Sequence, residues 1–245
     1  MIEKEQNDIV YGVHAVIESI KANIGNKLYI QDDIKGSNVD KIKELAKKYK
    51  VAISWTPKKT LTEMSSSAVH QGFVLRTSGF AYQDFENLLA KIKEELNPLV
   101  LILDGLTDPH NLGSIVRTAD ATNVSGIVIP KHRAVGITPV VSKTSTGAVQ
   151  YVPITRVTNL SQTLDTLKKE GFWIFGTDME GTPSTKWNTK GKLALIIGNE
   201  GKGISQNIKK QVDEMITIPM SGHVQSLNAS VAAAILMYEV YRNRE

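Results

Sequence analysis

Residues 193–205, LALIIGNEGKGIS, set three glycines and a lysine behind an apolar run, the composition of a loop that cradles a phosphate. The spacing fits neither familiar phosphate motif. A P-loop needs a glycine five positions before the glycine of its Gly-Lys pair, and Ser or Thr after the lysine. Ile196 and Gly203 occupy those positions. A G-x-G-x-x-G turn starting at Gly201 would need a glycine where Gln206 stands. Glu200 would moreover repel a phosphate. What remains is a strand end, Gly198, followed by Asn199 and Glu200 on a glycine-permitted turn. Taken alone, Glu200 would also suit the N-terminal dipole of a helix near 204–210.

Two other segments carry side chains of comparable interest. In DGLTDPHNLGSIVRTAD, 104–120, Asp108 and Pro109 are an N-cap and a first-turn proline, which predicts a helix over 110–122. Asn111 falls in its first turn, where capping is the plain use. Gly113 lies one turn before Arg117. A glycine inside a helix costs about 1 kcal/mol against alanine, so it predicts a close approach by ligand or backbone beside the guanidinium. In ITIPMSGHVQSLNASVAAAILMYE, 216–239, a strand end leads through a polar loop to a helix that Ser226 or Asn228 can cap. Capping explains one of Ser226, Asn228 and Ser230 but not all three. His223 has no carboxylate nearby in sequence and reads as a loop residue. Leu227, Val231, Ala234, Ile235 and Tyr238 make an apolar stripe at helical spacing. Ala232 to Ala234 keep the helix slender, suited to close packing on another helix across a dimer interface.

These segments need a scaffold, and the rest of the chain supplies one. LVLILD (99–104) is apolar throughout, as a strand buried on both faces must be. Further strands are predicted at 126–130, 151–155, 172–177, 193–198 and 215–220, with a helix at 160–170. Alternating strand and helix implies an α/β fold, a parallel sheet with helices on both faces, and ligands at the carboxyl ends of its strands. Ahead of it, strands at 28–31, 51–55 and 72–76 and a helix at 38–50, with Val39, Ile42, Leu45, Ala46 and Tyr49 on one face, predict a smaller α/β module. The expected division is 1–78, a linker and helix at 79–97, and 98–245.

Composition bounds the function. The 245 residues include 41% hydrophobic and 22% charged residues, ordinary for a soluble globular chain. No apolar run reaches the length of a membrane span, and MIEKEQNDIV lacks a signal peptide's apolar core. With no cysteine there is neither a disulfide nor a cysteine-ligated zinc, and a cytoplasmic location is the expectation. The net charge of +4 permits a nucleic-acid partner without requiring one.

Together the three segments resemble the SpoU (TrmH) family of RNA ribose 2′-O-methyltransferases. Its N-x-G-x-x-x-R-T motif stands here at Asn111–Thr118, its G-N-E-x-x-G at Gly198–Gly203, and its I-P-M-x-G…S-L-N-x-S-V-A-A from Ile218 to Ala233, with Ala229 where Val is usual. YGVHAVIESI (11–20) and HQGFV (70–74) resemble the family's RNA-binding domain, and the combination is most similar to its RlmB-type branch, which modifies a guanosine of 23S rRNA. The resemblance implies a C-terminal trefoil knot, a departure from the general rule against knots. It implies a homodimer through the knot domain. S-adenosylmethionine would bind around Ile197, Gly198, Ile218, Met220 and Leu227, with no metal. Asn111, Arg117, Glu200, Ser226 and Asn228 would form the catalytic set, with Arg117 at the reacting ribose and its phosphate and Glu200 holding Arg117 by a charge-assisted bond. Lys41, Lys43, Lys47, Lys48, Lys50, Lys58 and Lys59 are the candidates for RNA phosphate contact.

Overall fold

The computed structural model describes residues 9–21, 24–65, 69–77, 80–223 and 226–245. The N-terminal stretch 1–8, part of the Thr-Ser-Gly linker segment (78–79) and residues 224–225 of the third motif lie outside the described residues. The chain divides into two units, residues 1–81 and 82–245.

The first unit runs β1 (Ile9–Tyr11), α1 (Val13–Lys21), β2 (Gly25–Gln31), α2 (Ser37–Lys48), β3 (Ala52–Thr56), α3 (Lys58–Met64) and β4 (Phe73–Thr77). Its sheet has the order β1-β4-β2-β3, with β2 and β3 parallel and β4 antiparallel to both neighbours. Val39, Ile42 and Ala46 bury one face of α2, as their spacing requires, against Leu28, Ile30, Phe73 and Leu75. Each large side chain so buried contributes roughly 1.5–3 kcal/mol. The HQGFV marker is a built turn. Gly72 donates to His70 Nδ1 at 3.0 Å, His70 Nε2 meets the Thr62 hydroxyl at 3.2 Å, and a Cβ on Gly72 would lie 2.2 Å from Ile34.

The second unit begins with α4 (Phe85–Ile92), whose Asp84 cap accepts from the Glu86 and Asn87 amides. This helix, expected as part of a linker, buries Leu88, Leu89 and Ile92 in the same core as Val100, Ile102 and Val128. There follow β5 (Leu99–Asp104), α5 (Pro109–Ala121), β6 (Gly126–Pro130), α6 (Pro139–Thr144), β7 (Ile154–Val157), α7 (Leu160–Lys169), β8 (Trp173–Pro183), β9 (Leu193–Gly198), α8 (Gln206–Lys209), β10 (Glu214–Thr217) and α9 (Ala229–Arg242). All five strand pairings in the order β10-β8-β9-β5-β6-β7 are parallel. No helix among the described residues is long and apolar enough to cross a membrane.

From β5 the chain moves on to β6 at one side, whereas from β9 it moves to β10 at the other. The strand order therefore reverses between β5 and β9, and in parallel sheets ligands bind in the crevice beyond the carboxyl ends of the strands at such a point. Asp104 and Gly198 are register partners at that point. Alpha-helix α9 returns to pack on α5 and β9, burying Ala229, Ala233, Leu236, Met237 and Val240. The stripe legible in the sequence is a different one: Leu227, Val231, Ile235 and Tyr238 remain 37%, 46%, 39% and 58% exposed.

Candidate active site

The crevice is shaped by backbone first. A Cβ on Gly198 would lie 2.3 Å from the carbonyl carbon of Gly203 and 2.5 Å from the amide of Ile204. Only glycine lets the loop fold back onto the strand end this closely. Asn199 then closes the loop, its main chain exchanging bonds of 3.1 and 2.8 Å with Gly203, which has φ +64°. Its side-chain Oδ1 accepts from the Gly201 and Lys202 amides, and its Nδ2 donates to Gly105 O at 3.0 Å. Asp104 Oδ2 accepts from the Ser205 amide at 2.8 Å. Two side chains thus tie the β5 and β9 loops together across the switch point. No local pattern marks Asp104 or Asn199 as a tie, although an Asn before Glu-Gly has the chemistry of an Asx turn.

Onto this frame α5 brings Asn111. Asp108 caps the helix, accepting from the His110 amide at 2.9 Å, with Pro109 in its first turn. Asn111 is buried, 6% exposed, and its Nδ2 donates to Glu200 Oε1. Asn111 is thereby committed to the acidic loop rather than to capping, and the carboxylate is accounted for. Glu200 itself is exposed.

The sequence expectation pairs Arg117 with Glu200. Among the described residues no ion pair joins the two. The reason is helical: six residues advance by about 600°, so Arg117 projects some 120° away from Asn111. Arg117 is exposed, on the face shared with Gly113. The expected close approach at Gly113 is made by α6, since a Cβ there would sit 2.6 Å from Thr144 Cβ and 3.0 Å from Val141 O. The space is filled by a helix rather than left open beside the guanidinium.

At the start of α9, Asn228 is the cap. Its Oδ1 accepts from the Ser230 and Val231 amides and, at 2.6 Å, from the Ser230 hydroxyl. One cap thus accounts for both Asn228 and Ser230, while Ser226 is exposed. Of the expected cofactor residues, Ile197 is 2% exposed and has only backbone to offer. Ile218 is half-buried, and Met220 and Leu227 are 41% and 37% exposed.

Residues 98–238 match the model of the SpoU rRNA methylase family. The chain belongs to the SpoU family of RNA methyltransferases. Residues 9–83 match a domain described as RNA 2′-O ribose methyltransferase substrate binding. A Bacillus subtilis protein, YacO, whose name assigns it to the TrmH family of tRNA/rRNA methyltransferases, is 48% identical over 248 residues, 98% of this chain and 97% of that protein. A similarly named Staphylococcus saprophyticus protein is 46% identical over 239 residues, 96% of both. Among solved structures, the SpoU methyltransferase AviRb of Streptomyces viridochromogenes, bound to AdoMet, aligns with a TM-score of 0.63 at 25% identity over 96% of this chain and 89% of that one. In this chain the SpoU motif residues fall into two groups. Asn111, Glu200 and Gly198 are joined at the switch point, whereas Arg117 and Ser226 are exposed with no mutual contact among the described residues.

Proposed function

We propose that this chain transfers the methyl group of S-adenosylmethionine to a ribose 2′-hydroxyl of RNA, and that the target is a guanosine of 23S rRNA. The observation that carries the proposal is the Asn111–Glu200 hydrogen bond beside the Gly198 strand end. Bound near Gly198, Ile218, Met220 and Leu227, the sulfonium would supply an electrophilic methyl and lose its positive charge on transfer. The protein's tasks are then to aim a hydroxyl and to receive its proton. Glu200 accepts from Asn111 through Oε1 alone, which leaves its Oε2 as an acceptor for the hydroxyl. Arg117 serves as the phosphate anchor, because a guanidinium holds its protons and is a poor base. Ser226 and the cap residue Asn228, at the entry to α9, are assigned to the same site by the motif they belong to.

The first unit takes up the RNA. Lys41, Lys43, Lys47, Lys48, Lys50, Lys58 and Lys59 are all exposed, which suits contact with phosphates. The insertion of β9 between β5 and β8, with α9 returned onto α5, supports the knotted closure that SpoU membership implies.

Two experiments test the proposal. Mapping 2′-O-methyl groups in total RNA from cells lacking the protein should reveal one lost guanosine mark in 23S rRNA, restored by the purified protein with S-adenosylmethionine. A lost mark in tRNA instead would move the target, and no lost mark would defeat the catalytic reading. The exposed face of α9 is the proposed dimer contact, since Val231, Ile235 and Tyr238 line it one turn apart. Ile235→Glu should therefore shift the light-scattering mass from a dimer to the 26.9 kDa monomer. An unchanged mass would remove this face from the interface.

A further inference from the structure

The loop joining β6 to α6, residues 131–138, is braced from beneath, and we propose that it is a fixed arm gripping the RNA strand that flanks the methylated nucleotide, with Arg133 and His132 on its phosphates. The inference rests on the RNA-methyltransferase reading above. The bracing is extensive. Lys131 donates its amide to Val157 O at 2.8 Å, and Arg156 Nη2 donates to Lys131 O at 2.8 Å. The Arg156 guanidinium lies over the Tyr82 ring, 5.1 Å from its centroid. The Tyr82 hydroxyl in turn accepts from the Ile137 amide at 2.7 Å. A Cβ on Gly136 would stand 2.8 Å from that hydroxyl, so the loop lies flat against the tyrosine.

Two arginines of this region are used in opposite ways. Arg156 points inward as a strut, its Nε buried and without a partner among the described residues. Arg133 and His132 are exposed. Arg133 stands at φ +60°, a left-handed conformation that is uncommon for a non-glycine residue.

Position and charge point to the partner. Strand β6 is parallel to β5, so the arm leaves the sheet at the edge where the Gly105 and Asn199 loops meet. It is joined to that edge directly, Val135 donating its amide to Leu106 O at 2.9 Å. The neighbouring carboxylates are already engaged, Asp104 by Ser205, Asp108 by His110 and Glu200 by Asn111. Residues 131–138, KHRAVGIT, contain no acid. A rigid cationic arm beside a ribose-modifying site suits the phosphodiesters on either side of that ribose, and the planar fork of Arg133 suits one phosphate.

The test uses Arg133→Asn, since asparagine accepts the left-handed conformation without carrying the charge, together with Arg133→Lys and Tyr82→Phe in the full-length protein. The probes are 23S rRNA and tRNA fractions from cells lacking the protein. Arg133→Asn should raise KM for the RNA about tenfold, the loss of one charge-assisted contact, with kcat within about twofold. The slope of log affinity against log salt should fall by about 0.7–0.9, one phosphate's share. Arg133→Lys should recover most of the slope, and S-adenosylmethionine affinity should be unchanged throughout. Tyr82→Phe should raise KM in the same direction. If the wild-type protein methylates the RNA while Arg133→Asn keeps its KM and salt slope, the arm is refuted and the methyltransferase reading stands. If the wild type transfers no methyl to either fraction, that reading fails and the arm with it.

Discussion

Gly198→Ala should bind S-adenosylmethionine at least a hundredfold more weakly than the wild type, as read by titration calorimetry. The added Cβ would lie 2.3, 2.5 and 2.7 Å from three backbone atoms of Gly203 and Ile204. Backbone atoms cannot rotate aside as a side-chain tip can, so the whole 199–204 loop must move. Moving it breaks the Asn199–Gly203 pair and draws Asn199 away from Gly105. The cost in stability should be about 1–3 kcal/mol, the usual range for overpacking, and a lowered melting temperature would report it. Gly203→Ala provides the contrast: φ +64° strains the backbone, but nothing lies within 4 Å of the new Cβ. Its loss should be smaller, on the order of 1 kcal/mol. Wild-type affinity for the methyl donor in Gly198→Ala would separate the strand end from the donor site.

The contrast between these two glycines marks how far the sequence could be read. That the loop needed glycines was visible from LIIGNEGKG. Which glycine serves a turn and which a close approach depends on what lies across from each, and that is set by the fold. The apolar runs at 99–104, 126–130 and 193–198 gave their strands directly, because a strand buried on both faces has no polar positions to obscure it. The second half of β8, Met179–Pro183, was not legible, since DMEGTP carries polar residues and a glycine through a bent register against β10. Helix α6 carries a cap and first-turn pair in Thr138-Pro139, the Thr138 hydroxyl accepting from the Val141 amide at 3.3 Å. At six residues it is too short to show a period. The Asn111–Glu200 bond joins positions 89 apart. No local pattern encodes it, and charge alone favours pairing Glu200 with Arg117.

That correction sharpens the second large effect, expected at Arg117. Arg117→Ala should slow methyl transfer by about 10²–10³-fold under single turnover at saturating RNA and S-adenosylmethionine, the magnitude typical of removing one preorganised charge stabiliser. Two further measurements identify its role. If Arg117 removed the hydroxyl proton, lysine with a pKa near 10.4 would be the better base, and Arg117→Lys would overtake the wild type as pH rises. An anchor predicts a lower rate at every pH, because an ammonium cannot reproduce the guanidinium's fork on a phosphate. The second measurement uses Glu200, which is bonded to Asn111 on another face of α5. If Glu200 acts through Asn111 and the hydroxyl, then Glu200→Gln and Arg117→Ala should combine additively to within about 0.5 kcal/mol. Asn111→Ala and Glu200→Gln, being partners in one bond, should not add. Strong coupling of Glu200 to Arg117, with none to Asn111, would restore the charge pair that the sequence suggested and overturn the arrangement described above.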